Sequence, residues 1–207
     1  MKTLQKATVT TIILLLAAFA HAANSDNATK ARQLFNTAYN AVFGSQGSTL
    51  TYSVNIIGIY KASGTINMKG SKKRFFEQRY SAWCNGQTYY KVDNKKKTVE
   101  IYDAQSPQKD KYSGKFAFSP DNFNYSYTTS GNDYIITLEA KPKTGGNIKH
   151  AQIYLDKTTK APKNIRLKLL FFWTTIKITN FSSGGINDNI FNFPHEKFKS
   201  YKTHDKR

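Results

Sequence analysis

From Thr49 onward the apolar residues of this chain recur at every second position, in short runs separated by turn residues. Tyr52, Val54 and Ile56 alternate with Thr51, Ser53 and Asn55, and Ile66 and Met68 alternate with Thr65, Asn67 and Lys69. Tyr134, Ile136, Leu138 and Ala140 share one parity, as do Ala151, Ile153 and Leu155, and as do Ile165, Leu167 and Leu169. Successive side chains of a strand point to opposite faces, so this alternation predicts sheet with one face on a core and the other wet. Turn residues at Ala62-Ser63-Gly64, Asn85-Gly86, Asp93-Asn94-Lys95, Gly131-Asn132-Asp133, Thr144-Gly145-Gly146-Asn147 and Lys160-Ala161-Pro162 divide the runs. Short strands joined by hairpins predict one long antiparallel meander that curls over itself.

Ahead of the strands the period is helical. Ala31, Leu34, Phe35, Ala38, Tyr39 and Val42 recur at spacings of three and four. Asp26 suits the cap of this helix, and Gly44 ends it. Gln105 to Asn122 follows no strand period and holds two prolines, so it predicts short helices or an irregular flap, a lid.

The first residues carry the marks of export. Met1-Lys2 and Lys6 give a positive start, Ala7 to Ala20 is uncharged, and Ala20-His21-Ala22 is a small-x-small exit. Residues 1–22 are therefore expected to be a cleaved signal peptide, since the apolar run is shorter than the roughly 20 residues of a spanning helix. Residues 23–196 are expected to form a single domain, and 197–207 a loosely ordered basic tail. Cys84 is the only cysteine. Disulfides therefore do not stabilise the fold, no acylated cysteine anchors the chain near position 23, and Cys84 reads as a small core residue.

The formal net charge of +18 favours acidic partners, although the lysines are spread over many turns and suit a well-solvated surface. His150, His195 and His204 have no metal-type spacing, and no nucleophile elbow, phosphate loop or dinucleotide fingerprint is present. The chain is thus expected to be no enzyme and to use no metal or cofactor. The 14 Phe, 13 Tyr and 2 Trp suit sheet packing. Stacking on single-stranded nucleic acid is the other use of such rings, and the export signal argues against it.

Before Leu169 odd positions look inward, whereas Ile176 and Ile178 turn even positions inward. A turn or bulge near Trp173 follows. Leu170, Phe172 and Trp173 would then be either part of a strand buried on both faces or an exposed apolar tip that meets a membrane or a hydrophobic cargo.

The order of elements resembles a known family. Ser63-Gly64-Thr65-Ile66-Asn67-Met68-Lys69-Gly70 is followed by Lys73-Arg74-Phe75-Phe76, Trp83-Cys84-Asn85-Gly86-Gln87-Thr88-Tyr89-Tyr90-Lys91-Val92 and Lys97-Thr98-Val99-Glu100-Ile101-Tyr102. Asp156-Lys157-Thr158-Thr159-Lys160-Ala161-Pro162-Lys163 and Ile190-Phe191-Asn192-Phe193 stand near the end. This series resembles the LolA family of periplasmic lipoprotein carriers, in particular its Bacteroidetes group. The resemblance implies a half-open antiparallel β-barrel with an N-terminal helix and a lid on its concave side. It implies a cavity for the acyl chains of lipoproteins, lined by Tyr52, Val54, Ile56, Ile66, Met68, Phe75, Trp83, Tyr89, Ile101, Tyr134, Ile136 and Leu138, with Phe116, Phe118 and Phe123 in the lid. A periplasmic monomer follows, taking cargo from an inner-membrane donor complex and passing it to an outer-membrane acceptor, with transient membrane-surface contact and no nucleic acid. Typical carriers place a lid-binding arginine in a Lys-Arg-Pro pattern where this chain reads Lys69-Gly70-Ser71, and Arg74 stands in another register. The same scaffold also serves envelope sensors, so a protein- or glycan-binding module is the alternative.

Overall fold

The computed structural model describes residues 25–56, 60–109, 119–145, 148–169 and 172–207. The expected leader over 1–22 lies outside them, as do Phe116 and Phe118 of the expected lid. The alternating runs are strands: β1 (Ser48–Ile56), β2 (Tyr60–Lys69), β3 (Lys72–Glu77), β4 (Tyr80–Cys84), β5 (Thr88–Asp93), β6 (Thr98–Asp103), β7 (Phe123–Ser130), β8 (Asp133–Ala140), β9 (His150–Asp156), β10 (Pro162–Leu169), β11 (Phe172–Ser183) and β12 (Lys202–Asp205). They form one 12-stranded sheet in the order β12-β6-β5-β4-β3-β2-β1-β11-β10-β9-β8-β7. Two antiparallel meanders, β1 to β6 and β7 to β11, join along the β1/β11 pair. Among the described residues no ladder connects β12 to β7, so the sheet is open.

Cross-strand partners share a face, which lets the register assign every side chain. Tyr134, Ile136 and Leu138 lie opposite Leu155, Ile153 and Ala151, and Tyr125 lies opposite Leu138. The helix over residues 25–43, α1, packs on this face. Its Ala31, Leu34, Phe35 and Ala38 form one core with Phe123, Tyr125, Ile136, Leu138, Ala151 and Leu155. Burying each large apolar side chain of such a core contributes about 1.5–3 kcal/mol. Arg32 fastens the helix further: it lies 2.7 Å from the Asp121 carboxylate, donates to the Pro120 carbonyl at 2.8 Å and sits 4.8 Å above the Tyr125 ring.

Among the described residues the opposite face is covered only at the other wing. Trp83, Val92 and Val99 are buried there with Phe198, and Phe76, Tyr90, Ile101, Phe193 and Tyr201 pack around them. Phe193 stacks on Tyr90 at 4.3 Å and meets Trp83 edge-on at 5.4 Å. Asp188, with Lys69 and Lys72 each at 2.9 Å, pins the approach of this C-terminal segment to the β2–β3 turn.

Several expectations are corrected. The stretch after residue 196 is not loose: Phe198 is buried and Lys202–Asp205 forms β12, parallel to β6. Ala62-Ser63-Gly64 is no turn, because all three lie within β2, where Gly64 stands between Tyr52 and Glu77. Trp83 and Ile101 point away from α1, since Trp83 pairs with Arg74 and Ile101 with Tyr90 on the second face. Phe123 belongs to the core under α1 and not to a lid. Arg74, too, lies on the second face, with its guanidinium 4.2 Å above the Phe76 ring.

Candidate functional site

α1 seals β7, β8 and β9 but not the whole of its face. On β1, β2, β3 and β11 the same face carries Tyr52, Val54, Ile66, Met68, Phe75, Ile176 and Ile178, all half-buried. Ile165 and Leu167 of β10 continue it. The stripe is thus apolar and partly open, a surface that binds by non-directional burial.

One polar pair interrupts it. Tyr52, Gly64 and Glu77 are consecutive cross-strand partners on β1, β2 and β3. Gly64 has no side chain, so the Tyr52 ring passes over it and the hydroxyl donates to Glu77 Oε1. A Cβ at Gly64 would meet the Phe76 carbonyl oxygen at 2.3 Å and the Tyr52 ring at 3.1 Å, so this approach requires glycine.

At this end of the strands lies a groove of about 1300 Å³. It is bounded by the end of β1, the start of β2, the β3–β4 connection and the start of β11. Val54, Ala62, Tyr80, Phe172 and Trp173 supply its apolar wall, and Lys61, Arg79 and Lys177 its cations, against the single carboxylate of Glu77. The far end of the sheet is closed by packing: Gly47 sits against Ile186 and the Met68 carbonyl, and Gly184 donates to the Gly47 carbonyl at 2.7 Å.

The structure distributes the expected site residues as follows. Tyr52, Val54, Ile66, Met68, Phe75, Tyr89, Tyr134, Ile136 and Leu138 share the face that α1 packs on, and of these Val54 lines the groove. Ile136 and Leu138 are 0% exposed beneath α1, so they line no open space. Ile56 ends β1 opposite Tyr60. Phe172 and Trp173 both reach the groove, and Trp173 is 38% exposed. Leu170 lies outside the described residues, and Leu169 pairs with Phe172 across the β10–β11 hairpin that the change of parity predicts. Gly64, Glu77, Lys61, Arg79 and Lys177 were not anticipated from sequence. In sequence Gly64 reads as part of a turn, and the other four read as solvated surface charges.

Titration marks the core more than the groove. Burial, reinforced by the Asp121 carboxylate and opposed by Arg32, pushes the Tyr125 phenol up to about 12. Hydrogen bonds from Lys72 and Lys69 hold the Asp188 carboxyl below the usual carboxylate range. Among the described residues no three His, Cys, Asp or Glu side chains come together as a metal site requires.

The sheet is open, with a partly bare apolar face and a polar groove at one end. No family model matches the chain, and no curated protein matches it. Among solved structures it is similar to an uncharacterized conserved protein from Thermus thermophilus, with a TM-score of 0.57 and 9% identity over 86% of this chain and 99% of that one. A LolA superfamily protein from Nitrosomonas europaea matches with a TM-score of 0.39 and 7% identity, over 80% of this chain and 98% of that one. MucB of Pseudomonas aeruginosa, solved in complex with MucA, matches with a TM-score of 0.45 and 12% identity, over 81% of this chain and 62% of that one. The Thermus likeness shows the fold alone, and the two weaker ones add nothing to it. No helix among the described residues is long and apolar enough to cross a membrane.

Proposed function

We propose that the chain is a non-catalytic periplasmic carrier that shields the acyl chains of lipoproteins between the inner and the outer membrane. The observation that supports this best is the half-buried apolar stripe from Phe75 to Leu167, continuous with a groove of about 1300 Å³ at one end of the sheet. An acyl chain costs about 0.8 kcal/mol for each methylene left in water, so a lipidated protein needs such a cover to cross an aqueous space. The apolar stripe suits the tails, and the mouth around Glu77 and Arg79 suits the polar portion of the same cargo. Transfer from an inner-membrane donor to an outer-membrane acceptor then follows relative affinity, because the chain has no nucleotide-binding fingerprint.

The test is native mass spectrometry of the exported protein, followed by titration with a fluorescent fatty-acyl probe. Saturable uptake that Val54→Asp and Ile66→Asp abolish is expected. A titration carried to saturation with no uptake by the folded parent protein sinks the proposal.

The polar share of the groove favours a second reading, a protein- or glycan-binding module of the envelope. Ser53, Asn55, Ser63, Gln78 and Thr175 offer hydrogen bonds to a peptide or sugar and little to an acyl chain. Protein that is purified free of lipid yet retains a peptide or glycan supports this reading over the first.

A further inference from the structure

The face that turns away from α1 has a feature that acyl binding does not use. Strands β10, β11, β1 and β2 are neighbours in the sheet, and none contains an acidic residue. On their outward side Lys168 lies opposite Trp173, Arg166 opposite Thr175, Lys177 opposite Ser53, and Lys61 opposite Asn55. Neighbouring strands are about 4.8 Å apart, so the four cations fall within roughly 15 Å across the sheet. Lys69 and Lys163, the other cations of the same strands that have carboxylate partners, are paired with Asp188 and Asp133. Arg166, Lys168, Lys177 and Lys61 are in no ion pair among the described residues. Arg166 instead donates to Gln152 at 3.1 Å and lies 5.1 Å from the ring centre of Trp173.

Trp173 stands among these charges with 38% of its surface exposed. Indole is amphipathic and concentrates at the boundary between water and hydrocarbon. Phe172 and Val54, on the α1 face of the same strands, line the same groove from its other side. A surface complementary to this set must supply several negative charges and, a few ångströms below them, hydrocarbon. An anionic bilayer supplies both. A nucleic acid would satisfy the cations and stack on one ring but offers nothing to the apolar wall.

We infer that Lys61, Arg166, Lys168 and Lys177, with Trp173 at the hairpin end of the patch, dock this protein on an anionic phospholipid surface, groove mouth toward the membrane. The inference goes beyond the carrier reading and holds whether or not the opposite face takes acyl chains. Lysines near an anionic surface act additively and are screened by salt. Each charge removed lowers partitioning about fivefold, and loss of the indole lowers it about tenfold.

The experiment is vesicle flotation with the chain from Ala23 onward, whose described residues contain the helix and the whole sheet. Removal of the leader keeps its own apolar run from binding lipid. Vesicles of phosphatidylcholine alone are compared with vesicles that also contain phosphatidylglycerol, at low and high salt. The parent protein is expected to float with the anionic vesicles only, and to be released by salt. Lys61→Gln, Lys168→Gln and Lys177→Gln should weaken binding stepwise, and Trp173→Ser should weaken it at an unchanged thermal midpoint. Equal binding to neutral vesicles overturns the inference, as do charge variants that bind like the parent, or retention of single-stranded DNA without vesicle binding. Acyl-probe uptake is measured on Lys168→Gln, whose residue is not among the groove-lining ones. Lost flotation with intact uptake separates docking from carriage, and flotation without uptake leaves docking standing while the carrier proposal falls.

Discussion

Asn27 of α1 closes both main-chain hydrogen-bonding groups of Tyr127 in β7: its side-chain amide donates to the Tyr127 carbonyl at 3.0 Å, and its Oδ1 accepts from the Tyr127 N–H at 2.9 Å. β7 is an outer strand of the sheet. One primary amide thus takes the place that a residue of a further strand would occupy, at the edge where another chain could add itself.

Asn27→Ala should therefore act twice. Two part-buried hydrogen bonds are lost, for about 1–2 kcal/mol, and the Tyr127 amide is left open to pairing. A lower thermal midpoint together with concentration-dependent self-association in analytical ultracentrifugation is expected. A destabilised variant that stays monomeric at all concentrations would show that Asn27 does not protect the edge.

The Gly64 crossing should be intolerant of the smallest side chain. Gly64→Ala brings a Cβ to 2.3 Å from a backbone oxygen that cannot move aside. Overpacking of this kind costs about 1–3 kcal/mol. Gly70→Ala is the matched control: it meets nothing within 4 Å and is strained only by its φ of +57°, at about 1 kcal/mol. Urea denaturation should rank the two variants in that order and shift the tyrosine fluorescence of Gly64→Ala alone.

Phe198 should matter as a core residue does. It is 5% exposed and packs at 5.5 Å from Trp83 and 5.3 Å from Phe193. Phe198→Ala is expected to cost about 3–5 kcal/mol and to expose Trp83, visible as a red shift of tryptophan emission. Lys199→Ala, one residue on and exposed, should leave both stability and emission as they are.

Tyr125 supplies a pH test. The phenol ionises at its ordinary value of 10.0 when unfolded and at about 12 when folded. Its raised folded value means that the stabilisation is fully present below pH 10 and is lost as pH rises from there toward 12. With Tyr125 only 9% exposed, up to about 2 kcal/mol is at stake. Urea midpoints measured along an alkaline series should fall less steeply for Tyr125→Phe than for the parent. Parallel curves for the two proteins would remove Tyr125 as the cause.

Parity in the sequence locates the face of β8 and β9 because that face alone is buried there: Ile136, Leu138, Ala151 and Leu155 are sealed and the alternate positions are wetter. It fails at β4, where Ala82, Trp83 and Cys84 are all buried in succession. A strand covered on both sides has no single inward parity, and what covers Trp83 is Phe193 and Phe198, from the other end of the chain. The C-terminal stretch reads as polar because its lysines outnumber its rings, although two aromatic residues, Phe198 and Tyr201, are enough to fix it. The cation patch is illegible for a related reason: Lys61 is far along the chain from Lys168 and Lys177 and joins them only through the β1/β2 and β1/β11 ladders.

The two margins of the sheet differ: Asn27 lies against the outer edge of β7, and β12, parallel to β6, is the other outer strand. A closed barrel has a bore fixed by its strand number and stagger. Among the described residues β12 and β7 are not paired, so this fold keeps a seam, and neither strand number nor stagger fixes the width of what lies between its wings.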